Sequence, residues 1–211
     1  MAEVLDRIRA SPVVQADETG WRQDGVNGYV WTFSTPTERY FLRRGRHKAV
    51  VDEVLDESFS GVLVSDFYAA YNHYPGPKQR CWAHLLRDIH DLTALYPEDA
   101  KLARWAGAIH KLYAGAKAFV HLEAKQRRLA RLRLEEKILA RCRPFLDDPL
   151  VVQGKLCRRI ERFIKELLSL LLSLPCHRTT TPPSEASGTW QRVARSVVAP
   201  ARSRALTARW P

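Results

Sequence analysis

No apolar run in this sequence is long enough to cross a bilayer. The most apolar stretch, Leu167–Leu174, falls well short of the roughly 20 residues that a spanning helix needs. The N-terminus carries no apolar leader, since Met1–Arg9 is charged and amphipathic. Cysteine is scarce: Cys81, Cys142, Cys157 and Cys176 are scattered without a short repeated spacing, which argues against a disulfide framework. Acidic residues are in deficit, 23 against 34 Lys and Arg. These absences exclude membrane-spanning and disulfide-stapled secreted classes and leave a cytoplasmic protein as the expectation.

What is present is enough apolar residue, 45% of 211, to bury one substantial core, or a core with a helical appendage. The net charge of +11 favours a polyanionic partner, because clustered Lys and Arg gain affinity by releasing counterions from a phosphate backbone.

Along the chain, residues 1–10 can form a short helix, and Pro12 opens an extended segment through Val13 and Val14 to Asp17. Tyr29–Ser34 and Arg39–Leu42 are dense in β-branched and aromatic residues, so three consecutive antiparallel strands are expected. Val50, Val51, Val54 and Leu55 lie at helical spacing within His47–Ser58. A short buried strand, Gly61–Val64, then leads to Asp66. Beyond Pro77 the pattern is helical: Cys81–Leu95, then Lys101–Arg143 with a break possible inside it, then Gly154–Leu172. From Arg178 to Pro211 the chain is Thr, Pro, Ser, Ala and Arg with a single acidic residue, Glu185, which reads as a disordered basic tail.

Asp17 and Asp66 each stand at the polar end of an apolar run, where a strand can hold a carboxylate at the rim of a sheet. Two such carboxylates suit hard divalent cations, and two ions about 3.5–4 Å apart can clamp the attacking and leaving oxygens of a phosphoryl transfer. Taken singly, either aspartate also fits a turn former or a helix cap. Cys81 and His84 sit one helical turn apart on one face and could share a metal, position a nucleic-acid strand or pack beneath the sheet. A structural zinc needs four such ligands, and no other cysteine has partner spacing; His73, His90, His110 and His121 form no constellation. Arg127, Arg128 and Arg131 lie in a basic helical stripe that reads either as a solvated face or as a nucleic-acid contact.

Four segments in order, Asp17–Arg22, Gly28–Pro36, Ser60–Asn72 and Pro75–Asp88, closely resemble bacterial transposases of the insertion sequence 66 family, and the similarity runs from about residue 10 to about residue 166. The resemblance implies a ribonuclease H-like mixed sheet of the DDE type, incomplete here, with a long helical insertion after the second aspartate. Residues 1–96 would form part of the catalytic core, 97–174 the helical insertion and following helix, and 175–211 the tail. Asp17 and Asp66 would be the first two carboxylates, holding Mg²⁺ or Mn²⁺ to cleave and join DNA. Cys81 and His84 would match a Cys-x-x-His motif near the site, while Trp21, Arg22 and Arg87 would be DNA-contacting or structural positions. The implied partners are insertion-sequence ends and target DNA, with a possible homo-oligomer and a nucleoid-associated location in a bacterial cytoplasm.

Two departures accompany the resemblance. Family members carry DNA-binding and zinc-binding regions upstream of the first aspartate, and this sequence starts almost at the core. The family's third carboxylate, in a segment reading roughly Val-Pro-Pro-Asp-Asn-Asn-Ala-Ala-Glu-Arg-Ser-Leu-Arg, is not found in frame. It can be spelled out of frame across Cys176–Gly188: consecutive Thr codons begin AC and can yield Asp-Asn-Asn, and Pro182–Glu185 can yield Ala-Ala-Glu-Arg. A frameshift between about residues 167 and 174 is therefore expected, and Glu185, without a helix to aim it, is not the missing carboxylate. The expectation is a defective transposase core; the alternatives are a non-catalytic basic DNA-binding or interaction protein and a pseudogene product.

Overall fold

Strand alternation along Val13–Ala16 continues, in the computed structural model, well beyond the apolar residues that start it. The structure describes residues 2–169. β1 (Val13–Gln23) pairs antiparallel with β2 (Val26–Ser34), and β2 with β3 (Arg39–Arg44). Asp24 (φ 51°) and Gly25 (φ 78°) link β1 to β2. A two-residue loop with both φ positive is the turn that matches strand twist, and the Asp-Gly pair accommodates it. This corrects one expectation: Asp17 stands in the middle of a strand, because ladder pairing with β2 carries β1 onward through the polar residues Glu18–Gln23.

After β3 the chain crosses back through α2 (Ala49–Val54) to β4 (Val62–Ser65), which lies beside β1 and parallel to it. α2 is shorter than the expected His47–Ser58. Asp56 accepts from the Ser58 amide at 3.0 Å and its hydroxyl at 2.6 Å, a local turn that competes with helical continuation. A further strand that the pattern does not reveal, β5 (Lys78–Arg80), pairs parallel with β4. Among the described residues the result is a five-stranded mixed sheet in the order β3-β2-β1-β4-β5, with six α-helices.

Period-two alternation assigns the two faces. Val14, Ala16, Trp31, Phe33, Leu42 and Leu63 enter one core with Ile8 of α1 (Ala2–Arg9), Val50, Val51 and Val54 of α2, and Tyr71 and Tyr74 from the β4–β5 connection. A second core joins α3 (Trp82–Leu95), α4 (Ala100–Ala116), α5 (Ala124–Cys142) and α6 (Gly154–Leu167) through Leu85, Ile89, Leu102, Ile109, Ile138 and Ile160. Full burial of such side chains contributes about 1.5–3 kcal/mol each. Asp99, after Pro97, starts α4 by accepting from the Lys101 and Leu102 amides at 2.9 Å. The long helical stretch does break, at a 3₁₀ turn over Lys117–His121. α6 is described to Leu167, and the tail lies outside the described residues.

α5 corrects the basic stripe. Arg127 is buried, with 3% of its surface exposed, because it and half-buried Arg131 fall on the same helical face as core residues Leu134 and Ile138. Arg131 stands 3.5 Å from Glu135. Arg128 alone of the three is exposed. Among the described residues, no helix is long and apolar enough to cross a membrane.

Candidate functional site

Parallel pairing of β1 with β4 runs Val13 to Val62, Val14 to Leu63 and Gln15 to Val64. Asp17 and Asp66 each lie two residues past the last pair, so the same register puts them level on adjacent strands. Period two also puts them on the same face, opposite the core that takes Val14, Ala16 and Leu63. β4 ends at Ser65, which frees Asp66 at the rim; its Oδ1 accepts the Tyr68 amide at 2.8 Å. Asp17 Oδ1 accepts the Glu18 amide at 3.1 Å. Burial pushes the Asp17 carboxyl above its ordinary range, and the negative charge of Asp66 pushes the same way; His84, the Glu18 amide and Arg87 oppose them.

The start of α3 faces this pair. Cys81 occupies the N-cap position rather than lying within the helix, with His84 and Arg87 following on the same side at intervals of three. His84 Nε2 is 3.9 Å from Asp17 Oδ1. The Cys81 side chain, against opposition from burial, draws the imidazole pKa upward, and the charges of Asp17 and Asp66 add to it. Burial works against ionisation of the Cys81 thiol, but the His84 side chain and the amides at the helix start carry it below the ordinary thiol range. The arrangement is therefore two level carboxylates bordered by an imidazole and the exposed Arg87.

Arg22 is not part of it. It lies five residues along β1 from Asp17, about 17 Å at the usual rise per residue, near the exposed hairpin tip beside Trp21. Arg127, Arg128 and Arg131 belong to α5 in the helical core.

Two partners of the site are silent in the sequence. On the opposite sheet face Glu18, its side chain 2% exposed, accepts from Tyr71 Oη at 2.6 Å and pairs with Arg46 at 2.8 Å. The Arg46 guanidinium lies 4.1 Å from the Tyr68 ring centroid. Arg80, fully buried on β5, donates to the Asp66 carbonyl at 2.7 Å and pairs with Glu166 of α6 at 2.7 Å. No sequence signal marks either set, since each depends on chain segments far apart.

Two carboxylates at one level suit a hard divalent cation, and the upward shift of Asp17 comes first from burial, with the charge of Asp66 a smaller push the same way. Among the described residues, no group of three or more His, Cys, Asp or Glu side chains is arranged to hold a metal.

A mixed α/β protein with two level aspartates on adjacent strands of its sheet is the class that fold and site define. The family described as Transposase IS66 family matches residues 1–174. The chain belongs to that family, and its general role is that of a transposase. No curated protein and no solved structure matches it.

Proposed function

We propose that this chain is the catalytic core of a DNA transposase in which Asp17 and Asp66 are the first two metal-binding carboxylates, and that it lacks the third. The observation that carries the reading is the level placement of these two residues on adjacent parallel strands. The strand order, three antiparallel strands followed by two parallel ones on the far side of β1, supports a ribonuclease H-like assignment.

Asp17 and Asp66 would hold Mg²⁺ or Mn²⁺, which when bound supplies Lewis-acid activation of a water or 3′-hydroxyl and charge stabilisation at a DNA phosphodiester. The chain's own part is positional. β1 and β4 fix the carboxylates, the Tyr68 and Glu18 amides orient them, and His84 and Arg87 place positive charge beside Asp17. Arg87, exposed at the rim, is placed to meet a DNA phosphate, and Cys81 and His84 shape the border of the site.

The missing carboxylate follows from a frameshift between about residues 167 and 174. The family match ends at residue 174, where the composition turns to Thr, Pro, Ser and Arg, which supports this reading. Sequencing the gene tests it: codons unable to spell Asp-Asn-Asn-Ala-Ala-Glu-Arg in the neighbouring frame would remove it. With two of three carboxylates, cleavage of DNA carrying element ends in Mg²⁺ or Mn²⁺ is expected to be absent or very slow. Robust nicking abolished by Asp66→Ala would overturn the defect while supporting the site.

A second reading, non-catalytic binding of DNA, draws on the +11 charge and the exposed Arg128. It expects salt-sensitive binding with little sequence preference that Asp17→Ala leaves unchanged.

A further inference from the structure

We propose that Arg80 is a positioning residue for Asp66, coupling the carboxylate's loop to the C-terminal end of α6; this rests on the reading of Asp66 as a metal ligand. By register Arg80 pairs with Ser65, the residue immediately before Asp66. Its side chain is wholly buried. Nη1 donates to the Asp66 carbonyl at 2.7 Å and to Ser65 Oγ at 3.3 Å, while Nη2 donates to Asn72 Oδ1. One guanidinium thus grips both ends of the Asp66–Asn72 loop.

The other side of the same guanidinium belongs to α6. Nε donates to Glu166 Oε2 at 2.7 Å, across 86 residues of sequence, and the Phe163 ring lies 4.7 Å from the guanidinium carbon. Around it the helix end is latched to β5 and α3. Gln79 Nε2 and Trp82 Nε1 both donate to the Leu167 carbonyl, at 2.8 and 2.6 Å, and Ser169 Oγ donates to the Lys78 carbonyl at 2.7 Å. A buried cation with this many partners is held in one geometry, because removing any acceptor leaves part of its charge unsatisfied. The planar fork matters: a lysine ammonium is a point charge and cannot span the loop carbonyl, Asn72 and Glu166 together.

Asp66 therefore owes its position to two supports, β4 on one side and α6 through Arg80 on the other. Arg80 touches no substrate and acts through the Asp66 backbone. A role confined to stability would leave the folded protein's metal affinity and loop protection unchanged, and this separates the two roles.

The test uses the full chain, with Mn²⁺ binding followed by electron paramagnetic resonance and exchange of the Tyr68 amide, the donor to Asp66 Oδ1, followed by hydrogen–deuterium exchange. Arg80→Lys should weaken Mn²⁺ about tenfold, as disturbance of the groups that orient metal ligands does, and speed Tyr68 exchange about tenfold while amides of α1 and β3 keep their rates. Glu166→Gln keeps an acceptor but loses the charge, and should shift both readings the same way by less; it decides the matter if Arg80→Lys fails to fold. Folded variants with unchanged Mn²⁺ affinity and unchanged Tyr68 protection would overturn the proposal. If Mn²⁺ binds no better to wild type than to Asp66→Asn, the metal reading fails instead, and Tyr68 exchange still decides the part played by Arg80.

Discussion

Tyr71 donates a 2.6 Å hydrogen bond to Glu18 across 53 residues of sequence, joining the connection that follows Asp66 to the strand that carries Asp17. The bond is buried on the core side of the sheet, where Glu18 also meets Arg46. Burial pushes the Glu18 carboxyl upward, with Tyr71 and Arg46 opposing it. Tyr71→Phe should therefore destabilise the fold by about 1.5–3 kcal/mol, the range for a hydrogen bond to a charged group. Urea denaturation measures this, and a change below about 0.5 kcal/mol would show that Arg46 alone satisfies Glu18.

Cys81 should react as a thiolate at lower pH than an ordinary cysteine, because His84 and the start of α3 favour its charged form. The folded pKa is depressed, so the associated stability is present above the ordinary thiol value and is lost as pH falls through the folded one. The pH profile of iodoacetamide alkylation, with Cys81 identified by peptide mapping, should have its midpoint below 9.0, the ordinary value. His84→Ala should move that midpoint up. An unchanged profile would mean that the imidazole does not act on the thiol.

Two glycines should respond oppositely to alanine. A Cβ at Gly61 would stand 2.6 Å from the Ser11 carbonyl oxygen and 2.8 Å from that of Pro12, both backbone atoms just before β1. Gly61→Ala should cost about 1–3 kcal/mol by overpacking. Gly107, inside α4, has open space around its Cβ position, and Gly107→Ala should gain up to about 1 kcal/mol from helix propensity. Thermal denaturation of the two variants checks both signs.

Arg128 and Arg127 are adjacent in sequence and opposite in environment. If α5 meets DNA, Arg128→Ala should lower the salt dependence of binding by about one phosphate contact with little change in Tm. Arg127→Ala should lower Tm instead, through loss of a buried side chain. Equal effects of both on binding, with stability intact, would mean that α5 presents a different face from the one its core residues dictate.

Much of the fold is legible in residue patterns. Tyr29–Ser34 and Arg39–Leu42 announce strands by composition, and the three-and-four spacing of Leu102, Trp105 and Ile109 announces a helix. β5 escapes notice because Lys78–Arg80 is short and polar, and its pairing comes from β4 rather than from its own propensity. Arg127 misleads for a related reason: a basic run signals a solvated face until the phase of Leu134 and Ile138 fixes which way the helix turns.

The residue order alone carries the family, through motifs that surround Asp17 and Asp66 at the ends of apolar strand segments. It also settled the basic charge and the abrupt change of composition after the family match. Only the tertiary structure decided that the two aspartates stand level on one face, because parallel register between β1 and β4 links residues 49 positions apart without any local signal. It decided, too, that Arg80 is buried between the Asp66 loop and α6. A buried charge is tolerated only where distant segments bring acceptors to it, and that condition is met by packing, not by any neighbour in the chain.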